Sequence, residues 1–147
     1  MEYRIFGERL PGIPYRFRPA VYGAAFRDNR ILVMENPWGL FLPGGGMDPG
    51  ERPEACLERE FLEETGWTVR LRSYLGAAGS WYFSPRYREH HFGLAYFYRV
   101  EITGVAGTTP EEDHRPLWLV PDRAVRDLYH DHQRYALECL LSENRLP

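Results

Sequence analysis

Cysteine is scarce: Cys56 and Cys139 are the only two in 147 residues. Neither belongs to a CxxC pair, and small secreted domains are usually dense in disulfides. Both are therefore read as reduced thiols on helices of a cytoplasmic protein. Long apolar runs are also missing. No stretch approaches the roughly 18 residues that a membrane span needs, so no membrane partner is expected. The opening MEYRIFGERLPG lacks the apolar centre of a secretory leader. Positive charge is not in excess. The formal net charge is −3, which argues against a general nucleic-acid binder. No nucleic-acid polymer is expected as partner, and an anionic ligand must be held by local cations or by metal. Repeats, linkers and low-complexity tracts are absent as well, so residues 1–147 are expected to form one domain with a core of its own.

What is present is an ordinary globular composition with many aromatics: ten Tyr, eight Phe and four Trp. Most of these sit on strand-like runs. Pro19 to Phe26 reads as a buried strand, Asp28-Asn29 as a turn, and Ile31 to Met34 as a second strand. LFLPGGG is a short apolar run entering a glycine loop. A helix is expected from about Pro53 to Thr65, with Pro53 in its first turn and Gly66 as its stop. WTVRLRSYLGAAGSWYF alternates like a strand, with a break near Gly76 to Gly79. HHFGLAYFYRVEI is a further strand, GVAGTTPEEDH a loop, and PLWLV another strand. From Pro121 onward the chain reads as helix, with Asp122 as cap and Val125, Leu128, Leu137, Leu140 and Leu141 as its apolar face. The order of elements predicts an α/β fold, a mixed β-sheet sandwiched between helices.

The expected central helix is crowded with acid. Glu51, Glu54, Glu58, Glu60, Glu63 and Glu64 all lie within or just before it. Glu60 and Glu64 are about 40° apart around a helix axis and Glu63 lies between about 60° and 100° from them, so the three can reach one point. Like charges at such spacings cost a few tenths of a kcal/mol per pair in an isolated helix. The C-terminal end of a helix also disfavours anions. A solvated acidic face is one reading. A site for a divalent cation that prefers oxygen ligands, such as Mg²⁺ or Mn²⁺, is the other. The glycines at 44–46, which let the backbone approach a ligand closely, favour the second.

Gly45, Glu51, Arg59-Glu60-Phe61, Glu63-Glu64 and Gly66-Trp67 stand at the spacing G-x5-E-x7-R-E-U-x-E-E-x-G-U, with U bulky and apolar. This resembles the signature of the Nudix (MutT-like) hydrolases. Phe61 and Trp67 are aromatic where aliphatics are commoner in that family. The resemblance implies cleavage of a diphosphate joined to another moiety, typically in a nucleoside diphosphate derivative, with Mg²⁺ or Mn²⁺. It implies Glu60, Glu63, Glu64 and the carbonyl of Gly45 as metal ligands. Glu51 and Arg59 would form an ion pair fixing the loop to the helix. Glu60, Glu63 and Arg59 make up the expected catalytic set, with Glu60 the first candidate to take a proton from water. Glu63 and the acidic PEEDH segment, through Glu111-Glu112, are the alternative sources of that base, with Glu112 also a candidate metal ligand. A homodimer is compatible with the resemblance.

The substrate contacts are less legible. Arg18 and Arg86 are candidate phosphate ligands, and Trp81 a candidate platform for a nucleotide base. His130 and His132 flank Asp131, but no third ligand stands at a metal-site spacing, so a helix-start or surface role is expected. A Nudix-like module that senses a nucleotide without turnover is the competing function, and the retention of every box acid argues against it.

Overall fold

Strand β2 (Arg16–Ala24) sets the layers of the computed structural model, which describes residues 1–145. Alternate side chains of a strand face opposite ways. Ala20, Tyr22 and Ala24 enter one core, while Val21 and Ala25 beside them enter another. The first core is closed by helices α2 (Pro121–Asp127) and α3 (Asp131–Arg145), through Ala124, Ala136, Leu137 and Leu140. The second is closed by α1 (Pro53–Thr65), through Cys56, Leu57 and Phe61. A strand buried on both faces reads as a continuous apolar run, and PAVYGAA is one.

Around β2 lies a mixed five-stranded sheet. Its order is β1 (Ile5–Phe6), β7 (Trp67–Ser84), β8 (Glu89–Val105), β2 and β6 (Gly44–Gly46). β2 runs parallel to β8 and antiparallel to β6. A second sheet joins β3 (Phe26–Arg27), β4 (Arg30–Asn36) and β5 (Gly39–Phe41), with β9 (Arg115–Leu119) pairing β4. Helices on both sides of a mixed sheet are the architecture expected from the order of elements. No helix among the described residues is long and apolar enough to cross a membrane.

Several local expectations are corrected. The three glycines at 44–46 form the edge strand β6 rather than a loop, hydrogen-bonded in register with Tyr22, Val21 and Ala20. Gly44 has φ 141°, and a Cβ there would lie 2.0 Å from the carbonyl oxygen of Val21, so no other residue fits. The strand expected to break at Gly76–Gly79 runs on as β7, because register shifts at Leu71/Ser73 and Tyr74/Gly76 absorb the irregularity. β8 reaches Val105, into the segment read as loop. The helical tail divides in two at Leu128–His130, where the Tyr129 N–H leaves the helix to reach the carbonyl of Leu40 at 2.8 Å. Arg134 Nη1 donates to the carbonyl of Leu128 at 2.6 Å, compensating the interruption. Val120, not Asp122, is the N-cap of α2. The turn at Asp28-Asn29 is as expected, with φ of 51° and 60° at its two residues.

Candidate active site

Helix α1 begins and ends as its sequence dictates. Pro53 occupies the first turn after an extended Arg52, and Gly66 closes the helix at φ 73° with its N–H on the carbonyl of Leu62. Leu57, Phe61, Glu64 and Thr65 all fall on the buried face. One acid of the motif therefore points where a core residue would. The three are graded from core to rim: Glu64 is 6% exposed, the Glu60 side chain 15% and that of Glu63 44%.

Arg59 ties this helix to the preceding segment. Its Nε and Nη2 donate to the two carboxylate oxygens of Glu51, both at 2.9 Å, and Nη2 also donates to the carbonyl of Gly46 at 3.1 Å. Nη1 reaches Glu60 at 3.1 Å and Glu63 at 3.3 Å. Glu51 further accepts the N–H of Asp48 at 3.0 Å. A fork holding a carboxylate at both oxygens fixes geometry as well as charge. Gly45 faces Glu60 so closely that a Cβ would lie 2.7 Å from its carboxyl carbon. The carbonyl of Gly45, expected as a metal ligand, receives the Cys56 thiol at 3.6 Å.

These contacts set the ionisation. Burial, reinforced by the charge of Glu60, pushes the Glu64 carboxyl well above the ordinary carboxylate range, while the Gly44 N–H at 3.3 Å opposes this weakly. Burial also raises Glu60, with Arg59 pulling the other way. The Arg59 hydrogen bonds hold Glu51 down at about 2. Ionised Glu51 thus stabilises the fold fully above its ordinary value of 4.5, and that contribution is lost as pH falls toward about 2. Urea unfolding across this range is expected to show a flatter acid limb in Glu51→Gln than in the parent. Parallel limbs would show that the Arg59–Glu51 pair does not couple to folding.

The acids open onto a cavity of about 280 Å³. Glu60, Glu63 and Glu64 line it together with Arg18, Arg86 and Tyr87, and an aromatic wall is built from Trp38, Phe41, Tyr82, Tyr129 and His130. The chain has no lysine, all 18 of its cationic side chains being arginine, so anions here meet planar guanidinium forks. Arg18 lies 5.2 Å from the Tyr87 ring centre, and Arg86 lies 5.6 Å from that of Trp38.

Of the residues singled out in the sequence, the acids, Gly45, Arg18 and Arg86 come together here. Trp81 does not. It packs with Phe92 at 4.4 Å and Tyr15 at 4.9 Å beneath Arg9, because strand alternation gives the cavity face to Tyr82 instead. Glu112 does not line the cavity either. Its neighbour Glu111 does, held by its own N–H on the carbonyl of Glu63 at 3.0 Å and paired with His114 at 2.9 Å. Among the described residues, Glu111, Asp113 and His114 are the one group of three with donor atoms all within 4.8 Å of one another. Glu60, Glu63 and Glu64 do not form such a group: Arg59 holds Glu60 and Glu63, while Glu64 lies against Glu60 and accepts the Gly44 N–H.

His130 and His132 are buried rather than on the surface, and Asp131 takes the helix-start role, accepting from Ser80 Oγ and the N–H of His132, each at 2.8 Å. Burial lowers His132 to about 4 and His130 well below the usual histidine range, so both are neutral near pH 7. Trp38 was missed because it stands in a turn, Asn36-Pro37-Trp38-Gly39, where an aromatic gives no periodic signal. Tyr129 gives no signal in the sequence, and His130, singled out there only beside Asp131, joins it at the cavity because the break in the helical tail brings both there.

Comparison with known proteins adds relatives to this geometry. A family model for the NUDIX domain matches residues 16–139. Over 90 residues the chain is 36% identical to a Bacillus subtilis (strain 168) protein provisionally named an 8-oxo-dGTP diphosphatase, covering 56% of each. Over 72 residues it is 42% identical to the ADP-ribose pyrophosphatase of Methanocaldococcus jannaschii, covering 46% of this chain and 43% of that one. The chain thus spans about half the length of the curated relatives it matches. Its fold is similar to that of a NUDIX hydrolase from Nitrosomonas europaea, with a TM-score of 0.67 and 19% identity over 88% of this chain and 92% of that one.

Proposed function

The chain belongs to the Nudix family, and from that premise we propose that it is a divalent-metal-dependent hydrolase of a diphosphate bond in a nucleoside diphosphate derivative. One observation carries the proposal: Glu64 is a carboxylate on the core face of α1, unpaired by any arginine among the described residues, and it opens with Glu60 and Glu63 onto an aromatic-lined cavity. A structural carboxylate so placed would be costly. A set of hard oxygen donors suits Mg²⁺ or Mn²⁺. Glu60, Glu63 and Glu64 would hold such an ion, which supplies charge neutralisation and an acidified water when bound.

The chain's own residues do the rest. The arginines at 18 and 86 hold the phosphates, and the aromatic wall takes the nucleoside. Glu60, which lines the cavity together with Glu63, Glu64 and Arg18, accepts the water's proton. Arg59 keeps Glu60 and Glu63 aligned while anchored through Glu51. Water oxygen joins one phosphorus as the bridging P–O bond breaks, leaving two phosphate monoesters where a diester of diphosphate is the substrate. The named relatives fit a nucleotide-type substrate, and two unpaired cysteines fit a reducing compartment such as the cytoplasm.

The test is a panel of nucleoside triphosphates, sugar nucleotides and dinucleoside polyphosphates with Mg²⁺ or Mn²⁺, the products identified by mass. Cleavage at a P–O–P bond, suppressed by chelator and lost in Glu63→Gln, is the expected result. Tight nucleotide binding without product under either metal would instead identify a sensing module.

A further inference from the structure

Arg18, Glu60 and Tyr87 line the cavity on one side and a second cleft, of about 390 Å³, on the other. The second cleft lies where the β2 edge runs free. β6 pairs only with Ala20, Val21 and Tyr22, and the Met47 N–H closes onto the carbonyl of Pro19 at 2.9 Å. Alternation along the strand turns the backbone N–H and C=O of Phe17 to that same open side. The other walls include Arg16, Met47, Asp48 and Glu89.

The charges of this cleft are already matched. Arg16 pairs with Glu89 at 3.6 Å, and Arg59 lies 3.7 Å from Asp48 in addition to its fork on Glu51. Beyond Arg18, then, two arginines face three carboxylates, Asp48, Glu60 and Glu89, and a further phosphate would find no cation to spare among the lining residues. A neutral group with hydroxyls would fare better. Asp48 and Arg16 have side chains 71% and 75% exposed, offering acceptors and donors. Met47, Phe17 and Tyr87 supply apolar surface for the C–H faces of a ring. The main cavity, at about 280 Å³, is smaller than the roughly 300–1,000 Å³ that encloses a whole drug-sized ligand, so a nucleotide derivative held there must extend outward.

We propose that this second cleft receives a neutral, polyhydroxylated group on the far side of the diphosphate, making the preferred substrate a nucleoside diphosphate ester of a sugar rather than a nucleoside triphosphate. The inference rests on the diphosphate lying at the carboxylates, as read above. The chain holds three methionines, which make its test direct. Met34 lines the cavity, Met47 lines the cleft and Met1 lines neither.

With ¹³C-methyl-methionine protein and Mg²⁺, three non-cleavable probes would be added in turn: α,β-methylene-ADP, ATP with methylene at both its α,β and β,γ bridges, and α,β-methylene-ADP-ribose. All three are expected to shift Met34, only the ribose ester to shift Met47, and none to shift Met1. A triphosphate that moves Met47 as far as the ester does, or an ester that leaves it still, overturns the proposal. Shifts of Met34 and Met47 as expected, in a protein that cleaves no natural counterpart, would sustain the cleft assignment while refuting turnover. No response at Met34 to these probes or to their guanine analogues would overturn both. In Met47→Trp, the ratio of kcat/KM for sugar ester over triphosphate should fall about tenfold or more, and an unchanged ratio would count against the cleft.

Discussion

Glu64→Gln is expected to lower kcat for diphosphate cleavage by a factor on the order of 10²–10⁴ without weakening the metal-free fold. The amide keeps the shape of the carboxylate and can still accept the Gly44 N–H that lies 3.3 Å from Glu64 Oε1. What it loses is charge. In the parent, burial and the neighbouring Glu60 hold the Glu64 carboxyl well above the ordinary range. A carboxyl whose folded pKa is raised costs nothing below its unfolded value and opposes folding increasingly as pH rises above it. At neutral pH and without metal, Gln should therefore leave the melting temperature unchanged or raise it. Metal reverses the order. An ion at a hundred times its Kd stabilises a protein that binds it by about 2.7 kcal/mol; the parent should show such a rise with Mn²⁺, and the variant little or none. Lost activity accompanied by a lower metal-free melting temperature would mean that Glu64 is a packing residue, and the reading of the site would fall.

The same contrast shows what the sequence could disclose. The fixed spacing from Gly45 to Trp67 is local, and a helix converts local spacing into shared facing, so Glu60, Glu63 and Glu64 were legible together. Glu51 and Arg59 were legible for the same reason, and their two contacts at 2.9 Å realise the expected pair. Burial was not legible. Only the packing of α1 against the sheet turns Glu64 inward, toward Gly44 of β6, while leaving Glu63 near the surface. The far wall of the cavity was hidden for a different reason. Trp38 comes from a turn, Tyr82 from a strand, and Tyr129 and His130 from the break between two helices, so no window of sequence holds them together. Arg18 and Arg86 were identified by residue type, whereas the choice between Trp81 and Tyr82 depended on the phase of β7, which its register shifts obscure. Within the Glu111-Glu112 pair the sequence did not choose; Glu111 is the one at the cavity, its N–H on the carbonyl of Glu63 at the end of α1, a contact across 48 residues of sequence.

The aromatic at position 61, where aliphatics are commoner in the family signature, is expected to be matched to glycine at position 23. Phe61 is fully buried in the core beneath α1. A Cβ built on Gly23 would come within 2.9 Å of Phe61 Cε2 and within 3.3 Å of both Phe61 Cζ and Val100 Cγ1. Ring and glycine thus occupy one volume between them. Phe61→Ala should cost about 3–5 kcal/mol, the range for emptying an aromatic site in a core. Gly23→Ala should cost about 1–3 kcal/mol through overpacking, partly offset by the roughly 0.5–1 kcal/mol that alanine gains over glycine within a strand. The informative variant is Gly23→Ala with Phe61→Leu. The smaller side chain gives the new methyl room, so the double variant should be more stable than the sum of the single effects predicts, by about 0.5–3 kcal/mol of coupling. Urea unfolding of the four proteins measures that term. Strict additivity would mean that helix and strand adjust independently, and the aromatic at 61 would then need another explanation than the bare strand opposite it.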